Sequence, residues 1–171
     1  IRNAILDGDI DTALKFTYLH YPQALKDNEK VYFRLRCRRF IEMIRQAAEL
    51  QNNSAGKTKT TDKNDGNTYE NHNHEMELDG HEIPQNCDQM QTEDLTINQS
   101  DHSSLLQETI LYGTELSAEF RDDPRKEVKK ALEDAFALMA YQQPLNANGV
   151  AYLLDPSGRV SVAEELNSAI L

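Results

Sequence analysis

Two cysteines and five histidines are the residues of this 171-residue chain best suited to metal ligation or to base chemistry near neutral pH. His72, His74, His81 and Cys87 fall close together. Structural zinc, however, takes paired Cys or His at short spacing inside a closed fold. Here the ligand types are mixed and Asn and Glu fill the gaps, so the composition predicts a polar tract holding no metal and no other cofactor. Cys37 lies on the apolar side of an expected helix, where a buried inert thiol is the usual outcome. His20 precedes Tyr21-Pro22 at an expected helix end and suits a partner for the helix dipole better than a general base. The chain has no phosphate-binding glycine loop, no nucleophile elbow and no HExxH pair. No nucleophile can be set beside a base, so the expectation is a protein that is not an enzyme.

The densest charged feature is Arg34, Arg36, Arg38, Arg39 and Arg45. Arg34 and Arg38 are i,i+4 neighbours on one helix face and Arg36 points elsewhere, so the run is not one continuous stripe. It reads either as a solvated surface whose stems cover apolar side chains and whose heads pair with acids such as Glu42, or as a partner-docking face. Nucleic-acid binding is a third possibility, weakened by the local charge. Residues 1–50 carry nine basic and seven acidic side chains, 51–103 three and eleven, and 104–171 six and eleven. The net charge of -11 therefore sits mostly in the middle third, and no segment has the basic footprint of a duplex binder.

Tyr112, Leu116 and Phe120 recur at four-residue intervals. They suit either ordinary core or a ridge that meets a helix of another subunit. With Arg34 and Arg38 they form the candidate partner-contact set.

These residues must be positioned by helices. Ile1 to Leu6 reads as the end of a helix, with Asp7-Gly8-Asp9 supplying a stop and the next N-cap. A second helix through Ile10, Ala13, Leu14, Tyr18 and Leu19 ends at Tyr21-Pro22, making a short hairpin. A third spans Glu29 to Leu50 on the stripe Phe33, Cys37, Phe40, Ile41, Ile44, Ala48, which Val31 and Leu35 widen until more than one side is covered. Ser104 to Gln107 has capping-box spacing and opens a fourth, with Leu106, Ile110, Gly113 and Leu116 on one side. Asp122-Asp123-Pro124 starts a fifth carrying Val128, Leu132, Ala135, Phe136 and Met139. A short segment Val150–Leu154 precedes Asp155-Pro156, which starts a last helix through Val162, Ala163, Leu166 and Ile170.

Only 39% of the chain is hydrophobic, below the usual globular share, so part of it lies outside any core. That part is 51–103, rich in Asn, Gln, Ser, Thr and acids, with scattered apolar residues that cannot offset the entropy of ordering the backbone. The expected organisation is all-α: helical hairpins in blocks 1–50 and 104–171, interrupted by a long disordered insertion. The sequons Asn52-Asn53-Ser54 and Asn98-Gln99-Ser100 would need a secretory route that nothing here supplies. Serines and threonines of the insertion could take phosphate, deepening its negative charge. No run approaches the roughly 18 apolar residues of a membrane span, no basic-then-apolar leader opens the chain, and two cysteines build no disulfide framework. The expectation is an intracellular protein with no membrane, nucleic-acid or small-molecule partner. Ile1 in place of Met, and the apolar close Ser168 to Leu171, suggest a piece of a longer protein.

The words Ile5-Leu6-Asp7-Gly8-Asp9-Ile10-Asp11-Thr12-Ala13-Leu14 and Tyr32-Phe33-Arg34-Leu35-Arg36-Cys37-Arg38-Arg39-Phe40-Ile41-Glu42 resemble the CTLH motif, the segment C-terminal to LisH. Tyr112-Gly113-Thr114-Glu115-Leu116, Phe136 to Tyr141 and Leu153-Leu154-Asp155-Pro156 resemble the CRA region. Together they are similar to RanBPM-type scaffold subunits of the GID/CTLH ubiquitin ligase, and the polar insertion to fungal members. The resemblance covers 1–50 and about 104–171. It implies a helical scaffold in cytoplasm and nucleus that associates with other LisH-CTLH-CRA subunits, while the RING and substrate-receptor subunits lie on other chains. The SPRY domain and the LisH helices are absent from this sequence, and it stops before a CRA region would finish. A stand-alone helical adaptor for signalling or cytoskeletal partners is the alternative.

Overall fold

The computed structural model describes the backbone of residues 1–56 and 92–171, and side chains over 1–53 and 100–171. Among the described residues the secondary structure is helical and contains no strand. The helices are α1 (Arg2–Asp7), α2 (Ile10–His20), α3 (Pro22–Lys26), α4 (Glu29–Gly56), α5 (Thr92–Glu119), α6 (Lys126–Met139) and α7 (Gly158–Ile170), with 3₁₀ turns at Pro144–Asn146 and Ala151–Leu154. The core of the expected insertion, residues 57–91, lies outside the described residues, as do the side chains of His72, His74, His81 and Cys87. At its edges the helices reach further than expected. α4 continues through 51–56, and α5 begins at Thr92 and runs without a break through Ser104, which therefore caps nothing.

Local chemistry accounts for most of the boundaries. Gly8 closes α1 at φ 88°, a left-handed conformation that costs glycine least, and the Asp9 carboxylate accepts the backbone N–H of Thr12 to open α2. Pro22 ends α2 but also begins the extra helix α3, since proline suits a first turn as well as it forbids an interior. The two Asp-Pro pairs act one step earlier than expected. Asp123 and Asp155 accept the backbone N–H two residues on, from Arg125 and Ser157, forming turns that precede α6 and α7.

α4 is the axis of the molecule, and both sides of it are buried. On one, Phe33, Cys37, Phe40, Ile41 and Ile44 meet Tyr112 and Leu116 of α5, Phe120 just after it, and Val128, Leu132 and Ala135 of α6. On the other, Leu35 joins Ile5 of α1, Ile10, Ala13 and Leu14 of α2, and Val162, Ala163 and Leu166 of α7. Each cluster draws from both ends of the sequence, so the two expected blocks fold as one body. Fully burying one such aliphatic or aromatic side chain is worth about 1.5–3 kcal/mol.

α5 is rotated from its expected setting. Its buried stripe is Thr109, Tyr112, Gly113, Leu116 and Phe120, whereas Leu106 and Ile110 are 37% and 47% exposed. The Thr109 hydroxyl donates to the carbonyl of Leu105 and so can be buried at little cost. Gly113 fixes the rotation: a β-carbon there would stand 2.5 Å from the Phe40 ring, which is fully buried.

Gly113→Ala should therefore be destabilising despite alanine's better helix propensity, by about 1–3 kcal/mol for an overpacked core. A lower urea midpoint with an unchanged m-value would show it.

Candidate interaction site

The five arginines of α4 point in several directions because consecutive helical residues turn by about 100°. Arg36 reaches α5, donating to the Tyr112 and Tyr32 hydroxyls at 2.6 Å each and pairing with Glu119 at 3.1 Å. Arg39 pairs with Asp11 of α2 and lies over the Tyr112 ring, 4.2 Å from its centroid. Arg34 reaches α7, where one terminal nitrogen meets Ser161 Oγ at 2.8 Å and Glu165 at 3.0 Å. Arg45 bonds Glu42 at 3.1 Å and Glu49 at 2.7 Å. Arg38 is buried. Arg34, Arg36 and Arg39 tie α4 to α7, α5 and α2, whereas Arg45 pairs within α4; the expected pairing of the run with Glu42 is made by Arg38 and Arg45.

Arg38 belongs to a buried cluster around Glu42. Its Nε donates to Glu42 Oε1 at 2.8 Å, and its terminal nitrogens donate to the carbonyls of Leu153 and Asp155 at 3.1 and 3.2 Å. Arg159, near the start of α7, grips the same carboxylate with two bonds of 2.7 Å and donates to Leu6 O, in the last turn of α1, at 3.0 Å. One carboxylate thus receives three guanidiniums, and two of them, Arg38 and Arg159, also satisfy the backbone carbonyls of Leu153, Asp155 and Leu6. Burial alone pushes the Glu42 carboxyl up, but the hydrogen bonds and charges of Arg159 and Arg38 outweigh it and hold the group down at about 2. Gly8 makes room for the cluster. A β-carbon there would lie 2.6 Å from an Arg159 terminal nitrogen.

The candidate contact residues separate accordingly. Arg38, Tyr112, Leu116 and Phe120 all face inward and serve the chain's own core, so the ridge expected to meet another subunit is covered by α4. Arg34 keeps 41% of its side chain exposed. Arg159 escaped notice in the sequence although a signal was present: it precedes Val162, Ala163 and Leu166 at the spacing of one helix face, which puts a charge on the buried stripe. Cys37 is buried, and burial pushes its thiol up to about 11 against the pull of Arg34 and Arg38, which leaves it protonated and inert at neutral pH. Among the described residues no group of three or more His, Cys, Asp or Glu could hold a metal ion, and no helix is long and apolar enough to cross a membrane.

A family model described as the CTLH/CRA C-terminal to LisH motif domain matches residues 1–171. The chain belongs to the CTLH/CRA family. It is 27% identical over 172 residues to the Ran-binding protein M homolog of Arabidopsis thaliana, an alignment covering the whole chain and 24% of that protein. It is 37% identical over 106 residues to Ran-binding protein 9 of Mus musculus, covering 58% of the chain and 15% of that protein. The CTLH/CRA chain therefore spans about a quarter or less of these relatives. No solved structure matches it. The family and these relatives make it a protein-interaction scaffold domain of RanBPM-like type.

Glu42→Gln should cost about 3–5 kcal/mol, because it leaves buried guanidiniums without their counter-charge. Since Glu42 is held below its ordinary value of 4.5, its stabilising contribution is complete above that pH and is lost as pH falls toward about 2. The gap in unfolding free energy between the parent and the Gln variant should therefore narrow over that interval. A gap that stays constant with pH would contradict the assignment.

Proposed function

We propose that this CTLH/CRA chain is the non-catalytic scaffold portion of a GID/CTLH-type ubiquitin ligase subunit, acting in cytoplasm and nucleus. The observation that carries the proposal is the family match across the entire chain together with RanBPM-type relatives. The architecture suits that role. A scaffold must hold its shape while other chains pull on it, and here the two ends of the sequence are locked through Glu42 and two shared cores. The chemistry suits it too, because the thiol and the charged clusters at the centre are committed to structure and hold no nucleophile beside a base. In this reading the subunit buries helix faces against sister LisH-CTLH-CRA subunits and brings a substrate receptor and a RING module within reach of each other.

Affinity purification of the full-length protein from its native cells, with quantitative mass spectrometry, should recover other CTLH and RING subunits. Recovery of signalling or cytoskeletal partners in their place would favour a stand-alone adaptor and reject the ligase assignment.

A further inference from the structure

α5 buries one face against α4 and leaves the opposite face open. That outward face carries Ser104, Leu111 and Ala118 at seven-residue spacing, with Gln107 and Thr114 between them, all exposed. Leu111 is 64% exposed and Ile110 beside it 47%. The Thr114 hydroxyl is already satisfied, donating to the carbonyl of Ile110 at 2.8 Å. A row of carboxylates, Asp101, Glu108 and Glu115, runs along one edge of the face at the same seven-residue spacing. All three are exposed, and none of these carboxylates has a hydrogen bond or an ion pair among the described residues. The two arginines that reach α5 do not neutralise them, because Arg36 is spent on Glu119 and Arg39 on Asp11. From Thr92 to Glu119 the helix holds six acids and no Lys or Arg. The negative charge beside Leu111 is therefore free.

We infer that the outward face of α5 is a docking site for a basic amphipathic helix of a partner protein, which lays an apolar residue against Leu111 and sets Lys or Arg against Glu108 and Glu115. Seven-residue spacing keeps a seam facing a second helix, and charged residues flanking such a seam select the partner. At 1.5 Å per residue the row from Asp101 to Glu115 runs about 21 Å, so the partner must offer its cations over at least two heptads. The sign of the occupant follows from complementarity. A second copy laid on this face would bring another α5 without a cation, setting carboxylate against carboxylate, and nucleic acid would be repelled likewise. A wholly apolar helix would take water from the carboxylates at the edge and return no partner. This docking face deepens the scaffold reading and rests on it, giving one partner contact a place and a chemistry.

The test uses the full-length protein in its native cells, with a photo-crosslinking residue at position 107 on the seam. It should link another protein through a peptide in which Lys or Arg recurs at seven-residue spacing beside apolar residues. The double change Glu108→Lys with Glu115→Lys should cut that cross-link tenfold or more, with the thermal midpoint of the purified protein unchanged because both positions are exposed. Should the reversal lower the midpoint, Glu108→Gln with Glu115→Gln removes the charge without adding any and should cut the cross-link at least threefold. Absence of any cross-link, links to a second copy or to peptides without such a basic row, or a yield that neither charge change alters would overturn the docking site. Those results would leave the ligase reading standing if CTLH and RING subunits still co-purified. A charge-dependent link to a basic helix of a protein outside any ligase, with no CTLH or RING subunit recovered, would support the docking site and reject the ligase.

Discussion

The rest of the molecule depends on one buried carboxylate. Glu42 is where α1, α4, α7 and the turn before α7 come together, and it does not touch most of them itself. It acts through guanidiniums whose remaining donors satisfy carbonyls that would otherwise be buried without a partner. The arrangement offsets a difficulty in α7, where Arg159 sits in the first turn and the helix dipole disfavours a cation. The same cation lies at the last turn of α1, where the dipole favours it. Placing Glu42 between the two makes one residue serve both helices, and it sets their relative position more narrowly than apolar packing alone would.

Such a cluster is costly compared with an apolar core of the same volume, since three cations and an anion must leave water. What it supplies is selectivity. The clusters on the two sides of α4 are built from interchangeable Leu, Ile, Val and Phe, and either could accept a helix in a shifted register with modest loss. A two-bond grip between Arg159 and Glu42 tolerates no such shift. The neighbouring pairs work the same way: Arg34 with Glu165 and Arg36 with Glu119 each join α4 to a different helix. α4 is therefore held by apolar contacts on both sides and by ion pairs to its neighbours.

The readable part of the fold was the part written in apolar periodicity. Phe33, Cys37, Phe40, Ile41, Ile44 and Ala48 are buried as their spacing requires, and Val128, Leu132 and Ala135 meet them. α5 was misplaced in rotation because its buried face carries the polar Thr109, while Leu106 and Ile110, which share the expected side with Gly113 and Leu116, stay exposed. Its start was misplaced because Ser104-Leu105-Leu106-Gln107 has a capping pattern that means nothing inside a continuing helix. The arginines were harder in principle. Periodicity said where each one points, and the acids were visible, but pairings such as Arg159 with Glu42 join residues far apart in the chain. Only the folded arrangement decides between a solvated face and a wired interior.

The hairpin of α4 and α5 shows how this fold can carry a long insertion. Phe33 meets Phe120 at a ring separation of 4.9 Å and Phe40 meets Tyr112 at 6.4 Å, so the helices run antiparallel. Further along, Gln51 and His102 line one groove, which brings the two helices together at the end where residues 57–91 connect them. A connection at the tip of an antiparallel pair leaves and returns at nearby points, and each doubling of its length costs only about 0.6 kcal/mol in closure entropy. The pairing itself does not rely on the connection, because it is secured by the aromatic contacts, by Gly113 against Phe40 and by Arg36 with Glu119. The tract of highest negative charge is thus joined at the tip of the hairpin, while Glu42 lies near the middle of α4.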